Sequence, residues 1–288
     1  MIRFLNLLIV SISLFLQCPT ALEAQQSNEA AVHEDLDAVT WMQTSAEYAA
    51  ITRQTFRQAQ FNLGIAIVDP GWTASTEQAT MFADSPEDLA GLPPAIVVDV
   101  DETVLDNSAF QVGLIEADKE FSTEEWLTFC RRQESPAIPG AVPFLNSCRA
   151  AGVAVLFVTN RDHVVEDATR QNLIDVGLLL ADDPDTLFTK NEQEDWTSNK
   201  QSRREFLAGQ YRILLLLGDD LNDFVDPGYY GDSNQRRLVG NEFSDMWGQR
   251  WMMMPNPTYG GWERSLYNWD NSASRETKLK TKRAALRR

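Results

Sequence analysis

The feature that most limits the fold of this chain is an apolar run that ends in two aspartates. Residues 95–98 read Ala-Ile-Val-Val, and Asp99 and Asp101 follow directly. A run this short and apolar is typical of a β-strand that is covered on both faces. Ionised carboxylates at the end of such a strand carry a high desolvation cost unless a metal ion or a reaction uses them. The pair therefore indicates a catalytic site at the carboxyl edge of a parallel sheet.

Apolar runs and helical patterns alternate along the rest of the chain. Predicted strands, the last two weaker than the first two, cover residues 153–158, 213–217, 250–254 and 186–188. Predicted helices lie between them, at residues 123–132, 141–150, 164–176 and 199–208. Strands that alternate with helices form parallel sheets through right-handed crossovers. The predicted fold class is therefore α/β, with a Rossmann-like parallel sheet and helices on both of its faces.

A smaller, mainly helical part is predicted from the segments outside the sheet. Residues 36–63 carry apolar side chains at spacings of three, four and seven, which predicts a helical stretch with Asp35 as the candidate cap at its start. A second, short helix is predicted to begin at Ser85. The insertion at residues 102–152 contains several aromatic residues. It forms either a lid over the site or an ordinary extra packing layer.

These patterns divide the chain into four segments. Residues 1–24 form a targeting segment, residues 25–90 an N-terminal helical segment, residues 91–265 the sheet domain and residues 266–288 a basic tail. We expect the tail to be solvated and frayed. Contact of the tail with an anionic membrane surface is the alternative.

The first 24 residues are typical of a secretory signal peptide. Arg3 precedes an apolar run that is too short to span a bilayer as a helix, and small residues follow it. We predict cleavage after Ala24, with Ala21 as the alternative, and an exported product that is periplasmic or secreted. Lipidation of Cys18 would instead anchor the protein to a membrane, although Gln17 stands where such sites have a small residue.

Charge, cysteine and histidine content exclude several classes. A formal net charge of −17, from 42 acidic and 25 basic residues, disfavours a nucleic acid polymer as partner. Cys130 and Cys148, which remain after cleavage, form either a disulfide or two buried thiols, and they give no CxxC pair for zinc. His33 and His163 are the only histidines, and neither lies in a motif of the histidine acid phosphatases.

Polar motifs follow three of the predicted strands, and a lysine lies near the start of a predicted helix. Asp99 and Asp101, then Thr159, then Asp219 come at strand ends, where a parallel sheet brings them to one edge. Their carboxylates are hard oxygen ligands of the kind that Mg²⁺ prefers. Thr159 and Lys200 are suited to holding phosphate oxygens. Such a set fits phosphoryl transfer, in which a carboxylate can also be the nucleophile.

The order of these motifs resembles that of the haloacid dehalogenase superfamily. More narrowly, it resembles the class C acid phosphatases, also called the lipoprotein e(P4) family of 5′-nucleotidases. The stretches that carry the resemblance are Asp-Val-Asp-Glu-Thr-Val-Leu-Asp-Asn at 99–107, Val-Thr-Asn-Arg at 158–161, Gly-Asp-Asp-Leu-Asn-Asp-Phe at 218–224 and Pro-Asn-Pro-Thr-Tyr-Gly-Gly-Trp-Glu at 255–263. Residues 41–48 also resemble the amino-terminal part of that family, whose outer-membrane members are lipoproteins.

The resemblance implies a nucleophile, an acid and a metal site. Asp99 would attack phosphorus and form an aspartyl phosphate. Asp101 would protonate the leaving alcohol and then activate water. Mg²⁺ would lie between Asp99, the backbone carbonyl of Asp101 and Asp219, and Asp223 would orient a metal-bound water or Lys200.

The resemblance also implies a substrate-binding set. Thr159, Asn160 and Lys200 would contact the phosphoryl group, with Lys190 as the alternative to Lys200. Arg161 would either touch substrate or form a structural ion pair. We interpret Asp106 and Asp220 as helix-capping or solvated residues.

Aromatic side chains hold the substrate base in that family. Here Gln111, Val112 and Gly113 stand where one of these aromatics is expected. The candidates to replace it are Phe188, Trp196, Phe110 and Trp126. Preference for nucleotides is therefore a separate expectation from phosphatase activity.

The sequence thus predicts an exported, Mg²⁺-dependent acid phosphatase that hydrolyses small phosphomonoesters, in particular 5′-nucleotides. A sugar phosphatase of the same superfamily is one alternative, whereas a dehalogenase would normally lack the aspartate at 101. A catalytically silent storage or binding protein is another. A homodimer is possible on this sequence, and membrane contact is expected only if Cys18 is lipidated.

Overall fold

Five parallel strands form the sheet in the part of the chain that the structure describes. They are β1 (Pro94–Val98), β2 (Ala154–Asp162), β3 (Leu187–Lys190), β4 (Arg212–Gly218) and β5 (Trp251–Met253). The strand order is β3-β2-β1-β4-β5, and every pairing is parallel. All five predicted strands and the predicted α/β class are confirmed.

The structure is a computed structural model, and it describes residues 33–181, 183–226 and 231–287. These residues belong to one compact unit. The predicted signal peptide and Cys18 lie outside the described residues. Within the described ranges, no helix has the length and hydropathy needed to cross a bilayer.

The register of β1 determines where its acidic residues emerge. Val98 pairs with Phe157 of β2 on one side and with Leu217 of β4 on the other. The chain runs outward from β1 through β2 to β3 and then returns to place β4 on the opposite side. Such a reversal of direction is the position where open α/β sheets bind ligands. Asp99 and Asp219 follow β1 and β4 directly at this position.

Helices and turns cover both faces of the sheet. Along β1, Ile96 and Val98 belong to one apolar cluster, and Ala95 and Val97 belong to the other. The helices are α1 (Leu36–Thr44), α2 (Ala46–Val68), α3 (Thr76–Met81), α4 (Pro86–Gly91), α5 (Ser108–Ala117), α6 (Thr123–Arg132), α7 (Ala141–Ala150), α8 (Glu166–Asp175), α9 (Gln201–Ala208), α10 (Ser233–Glu242), α11 (Gly261–Arg264) and α12 (Arg275–Ala285). The alternation explains why β1 is apolar at every position rather than at every second one.

The prediction of helix over residues 36–63 is confirmed, but the stretch forms two helices that are separated at Ser45. Ser45 has extended backbone angles, and its side chain accepts a hydrogen bond from the backbone N–H of Tyr48 at 3.0 Å. This cap begins α2 and ends α1. Asp35 stands at the start of α1, but its side chain makes no capping hydrogen bond.

The expectation of a frayed basic tail is wrong, since residues 275–285 form α12. Arg275 contacts Glu34 and Asp118, each at 2.6 Å. Lys278 contacts Glu120 at 2.7 Å, and Lys282 contacts Glu263 at 2.6 Å. Three basic residues of the tail are therefore paired with carboxylates from three other segments of the chain.

Candidate active site

Asp99 is the first residue after β1, and its carboxylate is buried. Its backbone N–H donates to the carbonyl of Leu217 at 2.9 Å, which continues the pairing with β4. The ammonium of Lys200 donates to Oδ1 of Asp99, and the hydroxyl of Thr103 donates to Oδ2 at 3.2 Å. The sheet therefore presents this carboxylate at its carboxyl edge, with a cation against one oxygen.

Lys200, rather than Lys190, is the lysine of this site. Lys200 lies at the start of α9, is 4% exposed, and donates to Oδ1 of Asp223 at 2.5 Å as well as to Asp99. Burial opposes its charge, but the carboxylates of Asp223 and Asp99 outweigh burial and raise the pKa of Lys200. Lys190 instead lies 3.8 Å from Asp162 at the end of β3.

Asp219 and Asp223 complete a group of three carboxylates with Asp99. One oxygen from each of the three lies within 4.8 Å of the others. Asp219 follows β4, and its Oδ2 accepts a hydrogen bond from the side-chain amide of Asn256 at 2.7 Å. Burial, followed by repulsion from neighbouring carboxylates, raises the pKa of Asp219, and burial also raises the pKa of Asp99 against the opposing effect of Lys200.

This donor set fits a divalent cation. Three carboxylates face a single ammonium group, so the site has an excess of negative charge when all are ionised. The oxygens are hard ligands, and they converge at one end of the sheet. The structure thus brings together Asp99, Asp219 and Asp223, as the sequence predicts.

Gly218, the last residue of β4, is needed because the side chain of Asp223 lies against its Cα. A Cβ built on Gly218 would lie 2.3 Å from the Cβ of Asp223. We expect Gly218→Ala to displace Asp223 from Lys200 and to lower kcat/KM by about 10²-fold, the scale of a misplacement of about 1 Å.

The matched control for that prediction is Gly64→Ala, since a Cβ on Gly64 in α2 meets open space. Its free energy of unfolding is expected to rise by about 0.4–1 kcal/mol, with activity unchanged. Steady-state kinetics and urea unfolding of both variants test this. Full activity of Gly218→Ala would contradict the close approach.

Asp101 lies two residues beyond Asp99 and contacts Arg161. Oδ1 of Asp101 accepts from Nε of Arg161 at 2.9 Å and from the side-chain amide of Asn107 at 2.8 Å. Arg161 is fully buried. Burial opposes its charge, but Asp101 raises the pKa of Arg161. Of the two sequence interpretations of Arg161, the structure therefore shows the ion pair.

Glu102 is a buried acidic residue that sequence reasoning missed. It is 1% exposed, has φ of +55°, and its Oε1 accepts from the backbone N–H of Asn107 at 2.8 Å. Burial and then the charge of Asp101 raise the pKa of Glu102. Its contact with Asn107 holds the loop that follows Asp101 in place.

Thr159 and Asn160, at the end of β2, differ in what their side chains contact. Oγ1 of Thr159 accepts from the backbone N–H of Arg161 at 3.0 Å. The amide of Asn160 donates to the carbonyl of Ser198 at 3.0 Å and accepts from Arg203 at 2.7 Å. Asn160 therefore ties β2 to the segment that leads into Lys200. Its predicted contact with substrate stays a prediction.

The four candidate aromatics belong to two separate clusters. Phe110 and Trp126 lie with Phe129 in the insertion, with a ring-centroid distance of 5.1 Å between Phe110 and Trp126. The guanidinium of Arg161 lies 5.5 Å from the ring centroid of Trp126. The other two candidates pack with Phe206 near β3, and they are Phe188 and Trp196. Trp126 is therefore in contact with the partner of Asp101.

Several minor predictions are confirmed. Asp106 and Asp220 cap local turns, by accepting from the backbone N–H of Ser108 at 2.8 Å and of Asn222 at 3.0 Å. His163 is exposed and opens the turn before α8. Of the two alternatives for Cys130 and Cys148, a disulfide or two buried thiols, the structure has buried free thiols.

In this parallel sheet, a buried aspartate and a lysine lie together where the strand order reverses, and two more carboxylates lie beside them. This arrangement is characteristic of an α/β phosphohydrolase. The chain belongs to the acid phosphatase family of the haloacid dehalogenase superfamily, subfamily IIIB, whose model matches residues 18–262. The protein is accordingly a phosphomonoesterase.

Two solved structures are similar to this chain over most of its length. One is the class C acid phosphatase from Bacillus anthracis with tungstate bound, at 28% identity and a TM-score of 0.75, covering 90% of this chain and 98% of that chain. Another structure of the class C acid phosphatase from Bacillus anthracis matches at 28% identity and a TM-score of 0.74, covering 89% and 98%. The resemblance to class C acid phosphatases is thereby confirmed.

Proposed function

We propose that this protein is an exported, Mg²⁺-dependent acid phosphatase that hydrolyses small phosphomonoesters through an aspartyl phosphate at Asp99. The observation that carries the proposal is the buried carboxylate of Asp99, held by Lys200 within 4.8 Å of oxygens from Asp219 and Asp223. The predicted signal peptide supports the exported location.

In this proposal, each of these residues has a role in a double displacement. An oxygen of Asp99 attacks phosphorus, and the bond from phosphorus to the leaving oxygen breaks while Asp101 gives that oxygen a proton. Water then attacks the aspartyl phosphate and gives its proton to Asp101, which releases inorganic phosphate and restores Asp99. Thr159 and Lys200 hold phosphoryl oxygens during both steps.

Three side chains and one backbone carbonyl would hold Mg²⁺. They are Asp99, Asp219, Asp223 and the carbonyl of Asp101. When bound there, the ion neutralises charge on the phosphoryl oxygens. The excess of carboxylates over ammonium groups supports this assignment, and the tungstate in the similar solved structure supports an oxyanion ligand.

Within this reaction, we propose 5′-nucleotides as the favoured substrates. Trp126 supports this choice, because its half-buried ring lies in the insertion and contacts Arg161, the partner of Asp101. Turnover of nucleoside monophosphates should exceed that of sugar phosphates in kcat/KM. The opposite order, in a panel of both, would favour the sugar phosphatase.

Removal of divalent ions is the test of the metal assignment. After dialysis against a chelator, activity is expected to fall by about 10²-fold or more and to return with added Mg²⁺. Saturating Mg²⁺ should also raise the melting temperature, because the ion binds only the folded site. Asp219→Asn should remove both effects.

Two results would contradict this proposal in different ways. Full activity in chelator would remove the metal from the mechanism. Purified protein that releases no phosphate with Mg²⁺ at any pH between about 4 and 8, the range around carboxylate titration, would instead favour a catalytically silent binding protein.

A further inference from the structure

The two oxygens of the Asp101 carboxylate are not equivalent. Oδ1 accepts from Nε of Arg161 at 2.9 Å and from the amide of Asn107 at 2.8 Å. Among the described residues, no hydrogen bond reaches Oδ2. The side chain of Asp101 is 16% exposed while that of Arg161 is 0% exposed. Oδ1 thus accepts hydrogen bonds from the protein, whereas Oδ2 can still exchange a proton or a hydrogen bond with a ligand.

The two donors to Oδ1 are themselves fixed. Nη2 of Arg161 donates to Oδ1 of Asn107 at 3.0 Å, which closes a triangle of Arg161, Asn107 and Asp101. The hydroxyl of Ser135 donates to the same Asn107 oxygen at 2.7 Å. The backbone N–H of Asn107 donates to Glu102 at 2.8 Å. Neither donor can turn away from Asp101 without leaving a buried polar group unpaired.

We propose that Arg161 and Asn107 are positioning residues that make Oδ2 of Asp101 the atom that transfers the proton. This inference rests on the proposed function. Two N–H donors already point at Oδ1, so a proton on that oxygen would face them directly. A proton on the carboxyl group therefore resides on Oδ2. In the first step the Oδ2–H bond breaks, and the proton joins the leaving oxygen as the electron pair of its bond to phosphorus departs.

If so, the effect of losing Arg161 on activity depends on the leaving group of the substrate. An aryl phosphate with an acidic phenol departs without needing a proton, whereas an alkyl phosphate needs one. Loss of Arg161 should therefore harm alkyl phosphates more than aryl phosphates. A merely structural role of Arg161 would lower both by the same factor, since it would change only the amount or general order of the active enzyme.

The experiment compares kcat/KM for 4-nitrophenyl phosphate and ribose 5-phosphate in Arg161→Met and Arg161→Lys. For Arg161→Met we expect the ratio of alkyl to aryl activity to fall by about 10²-fold, the lower end of what general acid catalysis contributes. Arg161→Lys should fall less, because its ammonium keeps the charge but not the paired donors. The ratio is independent of how much of a variant is folded.

The matched control is Arg204→Met. Arg204 is also buried and pairs with a carboxylate, Glu77, at 3.0 Å, but it makes no hydrogen bond to Asp101. Its removal should leave the ratio of alkyl to aryl activity unchanged, whatever it does to stability. Asp101→Asn should reproduce the selective loss, and the double variant with Arg161→Met should lower the ratio no further.

The outcomes separate the inference from the proposed function. If wild-type enzyme hydrolyses both substrates and Asp101→Asn is selective, but Arg161→Met lowers both equally, the positioning role is overturned alone. If Asp101→Asn is itself unselective, the acid assignment in the proposed function fails. A selective loss in both variants, without additivity, supports the inference.

Discussion

Asp99→Asn is expected to lower phosphatase activity on the order of 10⁴-fold, because an amide cannot form the acyl phosphate on which both steps depend. The substitution preserves the shape of the side chain and removes a buried carboxylate beside Asp223 and Asp101, whose charges, with burial, raise the pKa of Asp99. The fold should therefore be retained. Kinetics with an aryl phosphate test the loss of activity, and urea unfolding tests the retention of the fold.

Asp88→Asn is the control for this substitution, since Asp88 is an exposed residue of α4. It should leave activity within about twofold of wild type. Wild-type enzyme quenched during turnover should yield a phosphorylated peptide that contains Asp99, and the Asn variant should not. Recovery of the phosphoryl group on another side chain would contradict the assignment of Asp99 as the nucleophile.

Lys200→Met is expected to lower both activity and stability. Its ammonium lies between two buried carboxylates, Asp99 and Asp223, and their side chains are 7% and 5% exposed. Removing one partner from a buried charge cluster costs about 3–5 kcal/mol in unfolding free energy. Urea unfolding in the presence of chelator measures this loss without compensation from a divalent ion.

Two variants make the Lys200 result specific. Lys190→Met removes a partly exposed lysine 3.8 Å from Asp162, so it should cost no more than about 1 kcal/mol. The double variant Lys200→Met with Asp223→Asn has one fewer unpaired carboxylate and should recover part of the lost stability. Equal stability of wild type and Lys200→Met in chelator would contradict the charge arrangement.

The sequence predicts the sheet and the catalytic carboxylates for the same physical reason. Strands covered on both faces are apolar throughout, so β1 and β4 stand out, and the residues after them must lie at one edge. Asp99, Asp219 and Asp223 follow from that rule. Lys200 follows less directly, because its side chain reaches the edge from the start of a helix.

The features that could not be predicted depend on contacts between distant parts of the chain. Arg161 and Asp101 are partners across 60 positions, and Arg275 and Glu34 across 241. No local pattern records such a pair. The break at Ser45 is different: its capping side chain is a local signal, but the apolar periodicity continues through it and hides it.

The placement of β1 at the centre of the sheet has a consequence for biosynthesis. Ala95 pairs with Ile213, so one edge of β1 lacks its partner until most of the polypeptide has left the ribosome. Pairing over such a separation is slow, and an uncovered apolar strand is prone to associate with other chains. We therefore expect nascent chains of this protein to be most prone to association before β4 is synthesised.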